Sequence, residues 1–196
     1  MRTIEFFFDY GSPASYLAYT QMPAIAQRTG ATIIYRPMLL GGVFKATGNR
    51  LPVEIAAKGV WMMADLQRYA RRYGVPYVRN PHFPINTLNL MRGAIAAENA
   101  GRLVPYSDAI YRAIWADQRN MEDPIVIAGV LREAGFDPAA MMAAIGTAEV
   151  KDRLRANTEE AVARGVFGAP TCFVGTELFF GQDRLEFVEE EARKAA

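Results

Sequence analysis

TIEFFFDYGSPASYLA, residues 3–18, is the stretch from which the fold can be read. Thr3–Asp9 is β-branched and aromatic and ends at Gly11-Ser12-Pro13, so it reads as a buried strand that stops at a turn. A helix follows. Ser12 stands in the N-cap position and Pro13 at the first helical position, where the missing N–H costs nothing. Pro23 is expected to kink or split that helix before Gly30 closes it. Ala31–Arg36 (ATIIYR) is a second strand, ended by Pro37. The chain therefore opens as strand–helix–strand, the mark of a parallel βαβ unit.

Outward from this start the pattern turns helical. Ile55, Gly59, Met62, Met63, Leu66, Tyr69, Ala70 and Tyr73 recur at helical spacing, with Gly74 as a stop. Further helices are expected over about residues 87–100 and 106–116. Two more begin at Asp123-Pro124 and Asp137-Pro138, each an N-cap followed by proline. A long helix over about residues 148–164 ends at Gly165. The strand signal then returns: TCFV (171–174) and ELFF (177–180) flank Gly175-Thr176 as a tight hairpin. Asp183 is expected to cap a last helix, with Glu186 completing a capping-box pattern. No repeat or low-complexity linker interrupts the chain, so the helical block reads as an insertion.

Composition narrows the function. The 196 residues are 51% hydrophobic and carry a formal net charge of +1, which offers no electrostatic footprint for nucleic acid or an anionic membrane. No apolar run is long enough to span a bilayer, and an arginine and a glutamate break the short apolar start, which argues against a signal peptide. A cytoplasmic setting is expected. The single cysteine, Cys172, rules out an internal disulfide and CxxC chemistry, and the single histidine, His82, does not furnish a His/Cys metal site. No GxSxG, P-loop, HExxH or dinucleotide-loop pattern occurs.

The element order is that of thioredoxin with helices inserted between its halves. The two places where such folds keep their chemistry hold Ser12-Pro13-Ala14-Ser15 and Gly168-Ala169-Pro170-Thr171, the first shaped like a CPxC motif with both cysteines replaced. With FFDYGSPASYLA (7–18), Gly48-Asn49 followed by Pro52 and Lys58-Gly59, DLQRYARRYGVP (65–76), FPINT (83–87), VFGAPT (166–171) and FGQDRL (180–185), the chain resembles a known family. It is the 2-hydroxychromene-2-carboxylate isomerases and their relatives, the kappa-class glutathione transferases, within the DsbA-like group. The resemblance implies an α/β, thioredoxin-like (DsbA-like) fold with an all-helical insertion. Residues 1–37 and 166–196 would form the thioredoxin-like domain, with the helix of about 148–165 packed on it, and 38–147 the helical insertion.

The resemblance also implies site roles. Ser12, at a helix N-terminus that favours an anion, would hydrogen-bond the thiolate of bound glutathione. As a bare residue, Ser12 reads equally as a plain helix cap. The Ala169–Pro170 bond is expected cis, turning the Ala169 backbone toward an extended peptide ligand. Gln182, where relatives often carry a smaller polar residue, and Asp183 would hold the γ-glutamyl end. Asn49 and Lys58 would reach glutathione or a substrate carboxylate from the insertion; their plainer readings are a turn residue and a surface lysine. His82 is a candidate general base or a loop residue. Trp61, Trp115, Phe44 and Met62-Met63 line a substrate pocket or pack a core, and Cys172 reads as a small core hydrophobe.

The family reaction interconverts 2-hydroxychromene-2-carboxylate and trans-o-hydroxybenzylidenepyruvate with glutathione as cofactor, in aromatic catabolism, and the family suggests a homodimer. The expected partners are glutathione and a small aromatic carboxylate. A kappa-like transferase conjugating electrophiles and a thioredoxin-fold binding module without turnover remain as alternatives.

Overall fold

The strand–helix–strand start and the late hairpin meet in one sheet. The structure, a computed structural model, describes residues 2–194. Four strands, β1 (Thr3–Phe8), β2 (Thr32–Pro37), β3 (Thr171–Val174) and β4 (Glu177–Phe180), lie in the order β2-β1-β3-β4. β1 pairs parallel with β2 (Phe6 beside Tyr35) and antiparallel with β3 (Phe6 beside Cys172). This is a thioredoxin-like α/β sheet of the DsbA kind. α1 (Pro13–Thr29) joins β1 to β2; between the halves run α2 (Leu40–Thr47), α3 (Ala56–Tyr73), α4 (Leu88–Asn99), α5 (Leu103–Trp115), α6 (Pro124–Glu133), α7 (Pro138–Ile145) and α8 (Ala148–Ala163); α9 (Leu185–Lys194) closes the chain. Among the described residues no helix is long and apolar enough to cross a membrane.

Strand alternation sorts the aromatic run of β1 onto two faces. Ile4, Phe6 and Phe8 enter the larger core with α1, α4 and α5, while Phe7 joins Met38, Val43, Ala161, Val166 and Phe173 on the other face. Trp115 of α5, fully buried, donates its indole N–H to the Tyr10 carbonyl at 2.8 Å. The Tyr10 hydroxyl bonds Ser107 at 2.8 Å. The inserted helices are thereby pinned directly to the turn that ends β1.

Two local expectations are corrected, and one helix is added. α1 runs unbroken through Pro23, which is exposed; buried Leu17, Ala18, Met22 and Ile25 hold the helix through the one missing N–H. α2 was not anticipated, because Gly41-Gly42 is a poor helix sequence. Its first N–H, that of Leu40, is instead taken by the buried Asp9 carboxylate at 2.8 Å. The last helix begins at Leu185 after a 3₁₀ turn over Gln182–Arg184, so Asp183 does not cap it. Asp183 pairs with Arg184, and Glu186 pairs with Arg72 rather than closing a capping box.

Candidate active site

Ser12 caps α1 as its sequence context demands. Its Oγ accepts from the Ser15 N–H at 3.1 Å, and its own proton is donated to the Ala169 carbonyl at 2.9 Å. Pro13 brings no N–H, and among the described residues the Ala14 N–H has no acceptor. A helix N-terminus with an unused donor therefore opens beside a hydroxyl whose proton can be redirected. Ser15, the other cysteine position of the motif, is fully buried and does not line the cavity.

The facing segment is held just as closely. Ala169–Pro170 is cis, as the resemblance implies; Phe83–Pro84 is a second cis bond that the sequence did not announce. The Gly181 N–H bonds the Pro170 carbonyl at 3.0 Å, tying β4's exit to this turn, and the Ala169 N–H has no acceptor among the described residues. Gly168 is required by close approach: a Cβ there would lie 2.6 Å from the Phe180 ring. That ring packs against Phe167 with centroids 4.7 Å apart.

Between these segments lies a cavity of about 370 Å³, within the usual size of a small-molecule site. Ser12, Ala14, Ala169, Gln182 and Asp183 line its floor and one end. Phe44, Leu51, Trp61, Met62, Phe83 and Phe180 form an apolar wall. Trp61 is 64% exposed and stands at the rim. Trp115 and Met63 are not part of the wall; Trp115 belongs to the core.

Asn49 reaches the cavity, but its side chain already works: Nδ2 donates to the Phe167 carbonyl at 2.7 Å and Oδ1 accepts the Arg50 N–H at 2.8 Å. Lys58 and His82 are exposed and are not among the residues lining this cavity. Lys58 falls on the solvent side of α3, and the turn of residues 80–84 brings Phe83 inward instead of His82. The cation that lines the cavity is Arg50. Sequence reasoning stopped one position short of it, at Gly48-Asn49.

At the far end Gln182 is buried, and its carbonyl accepts from the Tyr73 hydroxyl at 2.6 Å. Gly181, with φ of 100°, lets the chain turn so that the Asp183 carboxylate folds over it. Cys172 is buried in β3, and burial pushes its thiol up to about 12, so it stays protonated and takes no part in thiolate chemistry.

A sheet of this order, a Ser-Pro-Ala-Ser helix start and a cis-proline opposite it form one constellation. The protein-family pattern described as a DSBA-like thioredoxin domain matches residues 3–193. The chain belongs to the DsbA-like thioredoxin family. Within that family it is 35% identical to a 2-hydroxychromene-2-carboxylate isomerase of Sphingobium xenophagum over 190 residues, 96% of each chain. It is 27% identical to human glutathione S-transferase kappa 1, over 95% of this chain and 89% of that one. A solved 2-hydroxychromene-2-carboxylate isomerase structure superposes with a TM-score of 0.89 at 29% identity, covering 98% of this chain and 95% of its own. This DsbA-like chain thus groups with enzymes that are isomerases and transferases, and it lacks the cysteine pair on which dithiol exchange depends.

Proposed function

We propose that the protein is a glutathione-dependent isomerase of the 2-hydroxychromene-2-carboxylate type, in which Ser12 activates the glutathione thiol. The observation that carries this reading is the Ser12 hydroxyl at the open N-terminus of α1, 2.9 Å from the Ala169 carbonyl across the cavity floor. The donor set fits a short peptide thiol. The unused Ala169 N–H suits its backbone, the Ala14 N–H and Ser12 hydroxyl suit a sulfur anion, and Asp183 suits an ammonium group. Arg50 and Asn49 line the cavity and suit a carboxylate, a role the resemblance gave to Asn49 and Lys58.

Bound there, glutathione supplies a thiolate nucleophile whose reversible addition to a conjugated double bond allows rotation about it. The protein's part is electrostatic and steric. Ser12 turns its proton from the Ala169 carbonyl toward the sulfur, while Ser15 N–H keeps the oxygen in place. A hydrogen bond to a charged acceptor and the helix terminus together contribute about 2–4 kcal/mol, enough to lower a thiol pKa of about 8.5 by about two units. Arg50 holds the carboxylate of the acceptor, and Phe44, Trp61, Phe83 and Phe180 surround its ring and exclude water. The same reading carries a homodimer and a cytoplasmic setting, the first of which sedimentation of the purified chain tests.

The experiment is incubation with glutathione and the chromene carboxylate. An absorbance change with full recovery of free thiol supports the isomerase. Consumption of glutathione with a model electrophile, and no isomerisation, replaces it with the transferase. Calorimetry showing no glutathione uptake at millimolar concentration overturns both and leaves a binding module.

A further inference from the structure

Directly behind the Ser12 turn sits a buried carboxylate that the proposed chemistry does not use. Asp9 is 1% exposed and follows the last residue of β1. Its Oδ1 accepts from the Gly11 N–H at 2.8 Å and from the Thr87 hydroxyl at 2.7 Å; its Oδ2 accepts from the Leu40 N–H at 2.8 Å. Those three donors come from three helix starts. Gly11 immediately precedes the cap of α1, Leu40 is the first residue of α2, and Thr87 is the N-cap residue of α4. Neither α2 nor α4 has a side-chain cap of its own.

A carboxylate this deeply buried ordinarily needs a cation. Asp9 has none among the described residues; its two oxygens are met by three neutral donors, of which the Leu40 N–H is a helix-terminal N–H. Burial raises its pKa, and the bonds from Leu40, Gly11 and Thr87 work against that rise. From α5, Tyr111 is the titratable group that feels its charge. Such an arrangement is costly as a mere fold staple, since an apolar contact would serve packing alone. What distinguishes it is the set of parts it joins. Leu40 and Phe44 of α2 line the cavity, Asn49 and Arg50 follow α2 directly, and Gly11 and Ser12 form the opposite side.

We propose that Asp9 is a positioning residue that fixes the α2 wall of the cavity against the Ser12 turn, so that acceptor and thiolate meet in register. The inference deepens, and rests on, the glutathione reading of the site. It makes a specific claim about one oxygen. In Asp9→Asn, keeping Oδ1 on Gly11 and Thr87 sets the new NH₂ group against the Leu40 N–H, donor to donor. The α2 bond is lost while the Ser12 turn stays held, and no carboxylate is left behind the sulfur.

The test compares wild type with Asp9→Asn in three measurements. Amide hydrogen exchange over residues 40–47 should quicken in the variant, and this readout needs no glutathione. The acceptor kcat/KM should fall by about 10²-fold, the scale of a misplacement of about 1 Å. The thiol of bound glutathione should titrate at or below its wild-type pH, because no opposing carboxylate remains. A general loss of structure would instead move the thiol upward toward its free value, and that result overturns the proposal. So does unchanged exchange over residues 40–47 with kcat/KM within about threefold of wild type. If Asp9→Asn does not fold, Leu40→Pro removes the same N–H at a position where proline suits a helix start, after an extended Leu39. Because Leu40 also lines the cavity, Leu40→Ala, which keeps the N–H, is the control: Leu40→Pro should lower acceptor kcat/KM well beyond Leu40→Ala with an unchanged thiol titration, and equal losses in the two overturn the proposal. Should wild type take up no glutathione, the site reading fails, and the exchange comparison alone still decides whether Asp9 holds α2.

Discussion

Two chain turns face the same cavity, Ser12-Pro13 before α1 and Gln182-Asp183 before α9; each follows a glycine, yet they are built on different plans. At the first, the side chain caps its helix and keeps a spare proton: Ser12 Oγ receives the Ser15 N–H and donates to Ala169. At the second, the helix does not start at the acidic residue at all. A 3₁₀ turn intervenes, and Asp183 is folded back over Gly181 beside Arg184. A hydroxyl can cap and donate at once, because it has both lone pairs and a proton. A carboxylate has no proton, so an Asp that caps spends an oxygen on its own helix. In the proposed reading that carboxylate, spared the cap though paired with Arg184, takes a ligand's ammonium group.

That contrast can be broken or sharpened at five points. Ser12→Ala should lower turnover by about 10²-fold while leaving glutathione affinity within a few-fold, because the lost donor acts on the developing anion; steady-state kinetics beside calorimetry separates the two. Unchanged turnover removes Ser12 from the chemistry. Next, thiolate absorbance of bound glutathione should appear about two pH units below that of the free peptide. The protein's own thiol does not interfere, since Cys172 titrates only at about 12. By the same token Cys172 is a protonated passenger at neutral pH. Its folded-state pKa is raised, so its contribution to stability is complete below about pH 8.5 and declines as pH rises from there toward its folded value.

At the other turn, Asp183→Asn should weaken glutathione binding by about tenfold, the scale of one hydrogen bond to a charged group, with little change in kcat. Equal losses in both turns would mean that the division of labour is not real. The smallest effect sharpens the structural half of the comparison. Asp123 does cap its helix, accepting the Ile125 N–H at 2.8 Å, so Asp123→Ala should cost about 1 kcal/mol in denaturant unfolding. Glu186, which a capping box would have made comparable, only meets Arg72 at the surface; Glu186→Ala should cost less than about 0.5 kcal/mol. A larger loss would restore the capping box that the structure denies.

Much of this was legible in the chain because local chemistry dictated it. The alternating aromatic strand β1, the Ser-Pro and Asp-Pro helix starts, the glycine stops and the Gly175 hairpin all answer to neighbours a few residues away. Arg50, by contrast, carried no signal. A lone arginine after Gly-Asn is ordinary surface sequence, and only the fold of residues 48–52 under Phe167 brings it to the cavity. Helix α2 was hidden for a related reason: its glycines argue against a helix, and the cap that starts it comes from Asp9, 31 residues away. Lys58 and His82 were chosen for their chemistry, and the direction in which α3 and the 80–84 turn present them is a packing outcome.

By itself the sequence determined the strand–helix–strand start, the late hairpin, the loss of both motif cysteines and so the family to which the chain belongs. These rest on short-range sterics and on residue identity, which need no partner from afar. Only the tertiary structure decided which side chains share the cavity, that Asp183 lies beside it without capping α9, and that donors from near three helix starts meet on one buried carboxylate. Those outcomes depend on contacts between segments far apart in the chain, where the free energy of a buried charge or donor is set by whatever the fold brings beside it.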